Sequence, residues 1–302
     1  MKEIKFKSFD NTELACYIWE DVANPKAIVQ IIHGMSEHAK RYNDLATYLN
    51  QYGFIVFADD HRAHGKTAGK PELVGKYDKA TNLYCDSVKD EIEISKYLTN
   101  KYPKLPLFIF GHSYGSLITQ KYIQESKLHK GAILCGTSYM NTLENKMAKL
   151  IAKITMRHKG NNANAKLIEN LSFKKYSKGL ENGELWITHD KEIAKTYKED
   201  PMCSQPFSAK FYYDLMSGVI PTYKKANLAK IDKRKPLMLI AGQEDRFSKN
   251  GKLVLKLYNK YKKLGIIDLT IHLYPNMRHE VHNEINNAQV YADIKNFLNE
   301  HI

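Results

Sequence analysis

Short apolar runs alternate with longer stretches of helical periodicity along most of this chain. Apolar runs bounded by turn residues are typical of buried strands. They predict eight strands, near residues 3–9, 13–19, 27–32, 54–58, 106–110, 131–135, 236–241 and 267–274. Helices are predicted near residues 38–51, 79–100, 114–125, 249–264 and 285–300. After an initial hairpin at Asp10 and Asn11, this alternation predicts an α/β protein with a mostly parallel eight-stranded sheet flanked by helices.

The alternation is interrupted once, between Cys135 and Pro236. Roughly a hundred residues there lack the strand–helix pattern, and this length fits an inserted subdomain. We expect a helical cap at residues 138–228 that covers the functional site. The core would then consist of residues 1–137 and 229–302.

The most informative motif lies where the fifth predicted strand meets the following helix. Residues 111–115 read Gly-His-Ser-Tyr-Gly, a Gly-x-Ser-x-Gly pattern. Between a strand and a helix, this pattern forms a tight turn that presents the serine hydroxyl above the sheet. We expect Ser113 to be a nucleophile. The alternative is an ordinary helix N-cap, a role that serine commonly fills.

A nucleophilic serine needs a base, and the base needs an acid that orients it. In elbow-containing folds the chain order is serine, acid, histidine. Asp245 follows the seventh predicted strand and is the expected acid, with Glu244 as the alternative. His279 follows the eighth strand and is the expected base, with His282 as its competitor.

The oxyanion of a tetrahedral intermediate needs hydrogen-bond donors, which backbone N–H groups after the third strand and after the nucleophile supply. The third predicted strand ends in His33-Gly34-Met35. We therefore expect the oxyanion hole at the N–H groups of Met35 and Tyr114. The alternative is that His33 and Gly34 only end the strand in a turn.

Three segments resemble signatures of the monoacylglycerol lipase and lysophospholipase group of α/β-hydrolases, a serine aminopeptidase S33-like family. Residues 33–42 resemble His-Gly-x-x-Glu-His-x-x-Arg-Tyr, residues 60–65 resemble Asp-x-Arg-Gly-His-Gly, and residues 111–116 resemble Gly-His-Ser-Met-Gly-Gly. The resemblance runs from Ile28 to the last helix. It implies an α/β-hydrolase fold with an inserted cap, and a serine hydrolase that cleaves carboxylic esters of single-chain lipids through an acyl-enzyme.

The chain departs from these signatures at Ala63, Tyr114 and Ser116, which replace glycine, methionine and glycine. These changes affect the local shape of the site and the identity of the substrate, and none removes a catalytic group. Two other functions stay open: an α/β-hydrolase of other specificity, such as an aminopeptidase or thioesterase, and a non-enzymatic ligand-binding protein. An aminopeptidase should present acids to a substrate amine, and the acidic stretch from Glu181 to Asp200 is compatible with that.

Positive charge is concentrated in the predicted cap. The chain carries 46 Lys and Arg against 33 Asp and Glu, a net charge of +13. An apolar helical stripe lies beside a basic one in residues 143–157; the apolar residues are Leu143, Met147, Leu150, Ile151 and Ile154, and the basic ones are Lys146, Lys149, Lys153 and Arg157. Such a helix either contacts an anionic lipid surface or packs its apolar face on the core. Because no recognition module accompanies the charge, no nucleic-acid partner is expected.

Several classes of protein are not indicated by the sequence. The four cysteines contain no Cys-x-x-Cys pair, and we expect neither a metal nor an organic cofactor. No stretch of about eighteen apolar residues is present, so no transmembrane helix is expected. The first seven residues alternate apolar and charged side chains, unlike a signal peptide, and a cytoplasmic location is expected. Glu37 and Arg41, four residues apart, are expected to form a structural ion pair.

Overall fold

The computed structural model describes residues 1–181 and 184–302, without the side chains of residues 171–175. Residues 182 and 183 belong to the predicted cap and lie outside the described residues. The strands are β1 (Lys2–Lys7), β2 (Glu13–Trp19), β3 (Ala27–Ile32), β4 (Phe54–Asp59), β5 (Leu107–His112), β6 (Gly131–Cys135), β7 (Leu237–Gly242) and β8 (Leu269–Tyr274).

The helices lie on both faces of the sheet and between β6 and β7. They are α1 (Asn43–Gln51), α2 (Gly65–Ala68), α3 (Leu83–Lys101), α4 (Tyr114–Glu125), α5 (Leu143–Lys159), α6 (Lys166–Ser177), α7 (Lys191–Glu199), α8 (Ala209–Val219), α9 (Lys225–Leu228), α10 (Lys252–Leu264) and α11 (Ala288–Glu300). Short 3₁₀ turns occur at Ala39–Tyr42, Pro71–Leu73, Ile220–Tyr223 and Val281–Asn283.

The eight strands form one sheet in the order β1-β2-β4-β3-β5-β6-β7-β8. β2 pairs antiparallel with β1 and with β4, and every later pairing is parallel. This confirms the predicted mostly parallel sheet and its initial hairpin. Because parallel strands end at one edge, the loops after β3, β5, β7 and β8 come together there.

The central strands are buried on both faces, which explains their continuous apolar sequences. In β3, Ile28 and Ile32 belong to the apolar cluster on one face of the sheet, and Val29 and Ile31 belong to the cluster on the other. Each cluster also contains helix residues that cover that face. Full burial of one such side chain contributes about 1.5–3 kcal/mol.

The segment between β6 and β7 contains helices α5 to α9, and α8 is tied to the start of α3. Lys210 and Asp214 lie on α8, with Nζ and Oδ2 2.6 Å apart. Both are nearly buried; Lys210 also donates to the carbonyl of Thr81, and Asp214 accepts from the N–H of Leu83. A buried ion pair is tolerated only when its remaining donors and acceptors are also satisfied, and this one fixes α8 over α3.

Helix α5 packs only part of its apolar stripe on the core: Ile151 contacts the core cluster, while Leu143, Met147, Leu150 and Ile154 are exposed. Of its seventeen residues, all of them described, Ala152 alone is fully buried. Leu143 is 73% exposed, Leu150 57% and Ile154 50%. These exposed side chains form an apolar patch beside the lysines of the same helix. No helix in the described part of the chain is long and apolar enough to cross a bilayer.

Ala63 adopts a left-handed backbone with φ of 62°. The turn therefore keeps a conformation that glycine adopts easily, although alanine costs about 1–2 kcal/mol more there. Alanine in place of the signature glycine therefore adds backbone strain to this loop.

Candidate active site

Ser113 stands at a sharp turn between β5 and α4. Its backbone has φ of 51° and ψ of −115°, a strained conformation for a residue with a side chain. A Cβ on Gly115 would overlap the carbonyl oxygen of Ile32, and one on Gly111 would overlap the Thr119 hydroxyl. Both glycines of the motif are thus required by close packing. The Ser113 side chain makes no capping hydrogen bond to α4, unlike an ordinary N-cap.

The structure brings Ser113, His279 and Asp245 into one hydrogen-bonded chain. The Ser113 hydroxyl donates to Nε2 of His279 at 2.8 Å, and Nδ1 of His279 donates to Oδ1 of Asp245 at 3.0 Å. Asp245 is fully buried, and its Oδ1 also accepts from the N–H of Phe247. Glu244 is elsewhere: its half-exposed carboxylate lies 3.1 Å from Nε2 of His189.

His279 is buried between aromatic rings and a carboxylate. The Trp186 ring centroid lies 4.7 Å from the imidazole, and that of Phe247 lies 5.4 Å away. Burial disfavours the charged imidazolium, but the Asp245 carboxylate favours it and prevails, so the pKa of His279 is raised above its ordinary value. The competitor His282 lies behind it, stacked on Tyr42 at 4.9 Å.

The loop after β3 faces Ser113 with free backbone donors. Within residues 1–181 and 184–302, the N–H groups of Met35 and Tyr114 donate to no other group, and both residues line the cavity above Ser113. The Gly34 N–H, in contrast, donates to the Glu37 carboxylate at 2.6 Å. This bond fixes the loop and leaves the next N–H, that of Met35, available to a ligand.

His33 acts in this turn as a buried support. Its ring stacks on that of His61 at 3.8 Å, and its Nε2 accepts from the His61 N–H at 3.0 Å. Burial lowers its pKa well below the ordinary value. A neutral imidazole is required for that acceptor role.

Arg41 links the loop of Glu37 to the loop of the base. Its Nη1 donates to Oε2 of Glu37 at 2.6 Å. Its Nη1 and Nη2 also form a bidentate ion pair with the two carboxylate oxygens of Glu280, at 2.8 and 2.7 Å. The predicted pair is therefore present, with Arg41 on the 3₁₀ turn Ala39–Tyr42 and Glu37 in the loop before it. Glu280, directly after His279, was not identified from the sequence. Burial opposes ionisation of Glu37, yet Arg41 and His112 lower its pKa well below the ordinary value.

A cavity of about 1270 Å³ opens above Ser113. Much of its lining is apolar, contributed by Leu117, Met140, Met147, Ile151, Leu215 and Met216. Met140, Met147 and Tyr114 are among the lining residues, and Met156 is not. A cavity of this size, apolar with a few convergent polar groups, is typical of a small-molecule site.

Three side-chain groups in the described part of the chain are close enough to share a metal ion. They are His112, Cys135 and His282; His38, Asp200 and Cys203; and Asp59, His61 and Glu91. Each is already joined internally, as in the 2.8 Å contact between His38 and Asp200. Ser113, Asp245 and His279 belong to none of them.

A serine at an elbow after β5, with its acid after β7 and its histidine after β8, defines the α/β-hydrolase class. The family model described as serine aminopeptidase, S33, matches residues 23–286. The chain therefore belongs to the S33 family of α/β-hydrolases, which confirms the resemblance seen in the sequence.

Individual relatives extend over most of the chain. Human monoglyceride lipase is 26% identical over 281 residues, which cover 91% of this chain and 82% of the human protein. Monoacylglycerol lipase of Mycolicibacterium smegmatis is 24% identical over 302 residues, with 99% and 98% coverage. A thermostable carboxyl esterase from Bacillus coagulans, in complex with glycerol, superposes with a TM-score of 0.89 at 28% identity, covering 99% of this chain and 98% of its own.

Proposed function

We propose that this protein hydrolyses carboxylic esters of single-chain lipids, such as monoacylglycerols and lysophospholipids. The observation that carries the proposal is the hydrogen-bonded chain Ser113–His279–Asp245 at the base of a large, mainly apolar cavity. The monoglyceride and monoacylglycerol lipases among its relatives, and the similar carboxyl esterase, support the same reaction class. Ser113, His279 and Asp245 would be the catalytic triad.

In the first half-reaction, Ser113 Oγ attacks the ester carbonyl carbon while its proton passes to Nε2 of His279. The oxyanion accepts hydrogen bonds from the N–H groups of Met35 and Tyr114. The bond to the alcohol oxygen then breaks, and the imidazolium returns its proton to that oxygen. The alcohol leaves, and the acyl group stays on Ser113.

In the second half-reaction, water attacks the acyl-enzyme and gives a proton to His279, which returns it to Ser113 as the acid leaves. Asp245 holds Nδ1 of His279 in both halves, so that Nε2 faces the reacting atoms. Its negative charge also stabilises the imidazolium that forms twice in each cycle.

We also propose that residues 138–228 form a cap over a core of residues 1–137 and 229–302. Residues of α5 and α8 line the cavity opposite Ser113, and Trp186 covers one face of His279. These contacts support a role for the segment in enclosing the acyl chain and in limiting access of water to the base.

Hydrolysis of 1-monoacylglycerols and of a short-chain p-nitrophenyl ester tests the proposed activity. We expect release of the free acid from both, and a fluorophosphonate adduct on the peptide that contains Ser113. An absence of turnover with every ester, together with no adduct on that peptide, would mean that the fold serves ligand binding instead.

An aminopeptidase activity receives less support. Three acids of the stretch that ends at Asp200 have other partners: Glu184 pairs with Arg278, Asp190 caps α7, and Asp200 pairs with His38. The acidic residues lining the cavity are Glu37, Glu144, Glu169 and Glu280, all from other parts of the chain. An aminoacyl p-nitroanilide panel is expected to give turnover far below that of the esters.

The acid limb of the pH profile should lie above the ordinary histidine value. His279 must be neutral to accept the Ser113 proton, and its raised pKa keeps it charged to higher pH. We therefore expect kcat/KM to fall as the pH drops, with a midpoint above about 6.5. Stopped assays of a neutral ester between about pH 5 and pH 9 would measure it. A midpoint at or below 6.5 would contradict the raised pKa.

We propose that α5 docks on anionic membrane surfaces. Leu143, Leu150 and Ile154 expose apolar area beside Lys146 and Lys153, the combination that favours an interfacial helix. The double substitution Leu150→Glu/Ile154→Glu is expected to weaken binding to phosphatidylserine-containing vesicles by about tenfold or more, since it removes two insertion sites and adds two repelled charges. Vesicle co-sedimentation measures the change.

The matched control for docking is Ile267→Glu, because Ile267 is 78% exposed but lies outside the cap. It should leave vesicle binding within about twofold of wild type. Equal loss in the control, or no loss in the α5 variant, would exclude α5 as the docking element.

The cytoplasmic location stays a prediction, which cell fractionation tests.

A further inference from the structure

The cavity above Ser113 is not uniformly apolar, because four basic residues lie on its lining. They are Lys178, directly after α6, and Arg246, Lys249 and Lys252, in the loop after Asp245 and at the start of α10. Helix α10 carries no acid in its first turn. The positive end of its dipole therefore adds to the charge of the lysines.

The acids that line the same cavity do not neutralise this cluster. Glu37 and Glu280 are buried and share Arg41. Glu169 accepts from the N–H of Phe207 at 2.9 Å. Glu144 alone faces the cluster, and its Oε1 lies 2.6 Å from Nζ of Lys249.

The remaining cations are left without a counter-ion. Arg246 donates two hydrogen bonds of 2.6 Å from Nη1, to the carbonyls of Tyr176 and Lys178, which carry no net charge. Among the described residues, without the side chains of 171–175, its Nε and Nη2 donate to no group, and no carboxylate lies within 4 Å of the charged atoms of Lys178, Arg246 or Lys252. The guanidinium is thus held in place by one nitrogen while its other donors stay free, a geometry suited to a phosphate oxygen pair.

The position of this cluster relative to the nucleophile fits a substrate head group. Arg246 directly follows Asp245, whose carboxylate reaches Ser113 through His279. The apolar lining from α5 and α8 is suited to an acyl chain. An acyl chain has no charge that the unpaired cations could bind, so they need another ligand group. A cationic wall and an apolar wall around one ester site match a molecule with an acyl chain on one side of the ester and an anion on the other.

We propose that the preferred substrate is a single-chain ester whose alcohol carries a phosphate, as in a lysophosphatidic acid, and that Lys178, Arg246 and Lys252 bind that phosphate. This inference rests on the proposed esterase function and narrows its substrate class. The reaction releases a fatty acid and a glycerol phosphate, with the proton transfers described above. The phosphate is not altered.

The test compares two monomeric substrates with the same chain, 1-octanoylglycerol and 1-octanoylglycerol 3-phosphate, below their micellar concentrations. The wild type is expected to have the larger kcat/KM for the phosphate ester. The substitution Lys178→Gln/Lys252→Gln should lower the ratio of the two kcat/KM values by about tenfold, at roughly the strength of two partly exposed charge contacts. Raising sodium chloride from about 0.05 M to about 0.5 M should reduce the wild-type ratio as well.

The matched control is Lys262→Gln/Lys263→Gln, which removes the same charge from the last turn of α10, outside the cavity. It should leave the ratio within about twofold of wild type. Thermal melts check that both variants are folded. Titration of Ser113→Ala protein with the phosphate ester in a calorimeter gives a second readout that does not depend on turnover.

Three results would overturn the inference, and they are distinguishable. Hydrolysis of the neutral ester with a ratio near one would leave the esterase function standing and remove the phosphate site. A preference for anionic lipid seen on vesicles but not with monomeric substrates would assign the cations to the membrane surface. Failure of both esters, with no phosphonate adduct on Ser113, would remove the esterase function and this inference with it.

Discussion

The Ser113→Ala variant is expected to lose about 10⁶-fold in kcat on any ester that the wild type hydrolyses. The substitution deletes the hydroxyl oxygen that donates to Nε2 of His279 at 2.8 Å. Ser113 forms the strained turn between β5 and α4. Without it His279 has no nucleophile to activate, and only the oxyanion donors and the binding cavity remain. Initial rates with a p-nitrophenyl ester, at saturating concentration, measure the loss.

Ser126→Ala is the matched control for this variant. Ser126 is the C-cap residue at the other end of α4 and does not line the cavity. Its kcat should stay within about twofold of wild type, as for a substitution far from the reacting atoms. Residual activity of Ser113→Ala above about one per cent would mean that another nucleophile acts.

The strands that position the site were predictable because they are buried on both faces. β3 and β6 were expected at residues 27–32 and 131–135, and they span Ala27–Ile32 and Gly131–Cys135. These runs are apolar except for Gln30, whose buried amide is hydrogen-bonded to Glu91 and Ser95, and the exposed Lys26 and Lys130 mark where burial ends. β8 begins two residues later than expected, because Ile267 is 78% exposed and does not join the sheet.

Helix starts near the site were less predictable, since side chains and backbone strain decide them. The helix expected at residues 38–51 is a 3₁₀ turn, Ala39–Tyr42, followed by α1. The Asp60 carboxylate accepts from the Ala39 N–H at 2.9 Å, and this contact shapes the turn. The helix expected from residue 249 starts at Lys252, because Lys249, Asn250 and Gly251 all have positive φ.

The contacts that complete the site join residues far apart in the chain, which spacing alone does not reveal. Arg41 and Glu280 are 239 residues apart. The packing of Trp186 on His279 depends on how the segment between β6 and β7 folds back over the core. The interruption of the strand–helix pattern predicted an inserted segment. The helical periodicity of residues 143–157 did not decide which face of α5 is exposed to solvent.

The Asp245→Asn variant is expected to lose about 10⁴-fold in kcat. Asp245 Oδ1 accepts from Nδ1 of His279 and from the Phe247 N–H, so a neutral amide there either misorients the imidazole or leaves its positive form unsupported. The carboxylate is also what raises the pKa of His279 against burial. The acid limb of the kcat/KM profile should therefore move to lower pH in the variant.

Glu244→Gln separates this role from a general effect of negative charge in the loop. Glu244 is the neighbouring carboxylate, but it faces His189 and is 46% exposed in its side chain. Because it does not contact His279, its loss should change kcat by no more than about twofold and leave the acid limb in place. The reverse pattern, with activity retained in Asp245→Asn and lost in Glu244→Gln, would transfer the role of the acid to Glu244. We therefore expect two adjacent carboxylates of equal charge to differ in function through burial and direction alone, and the pH profile tests this difference.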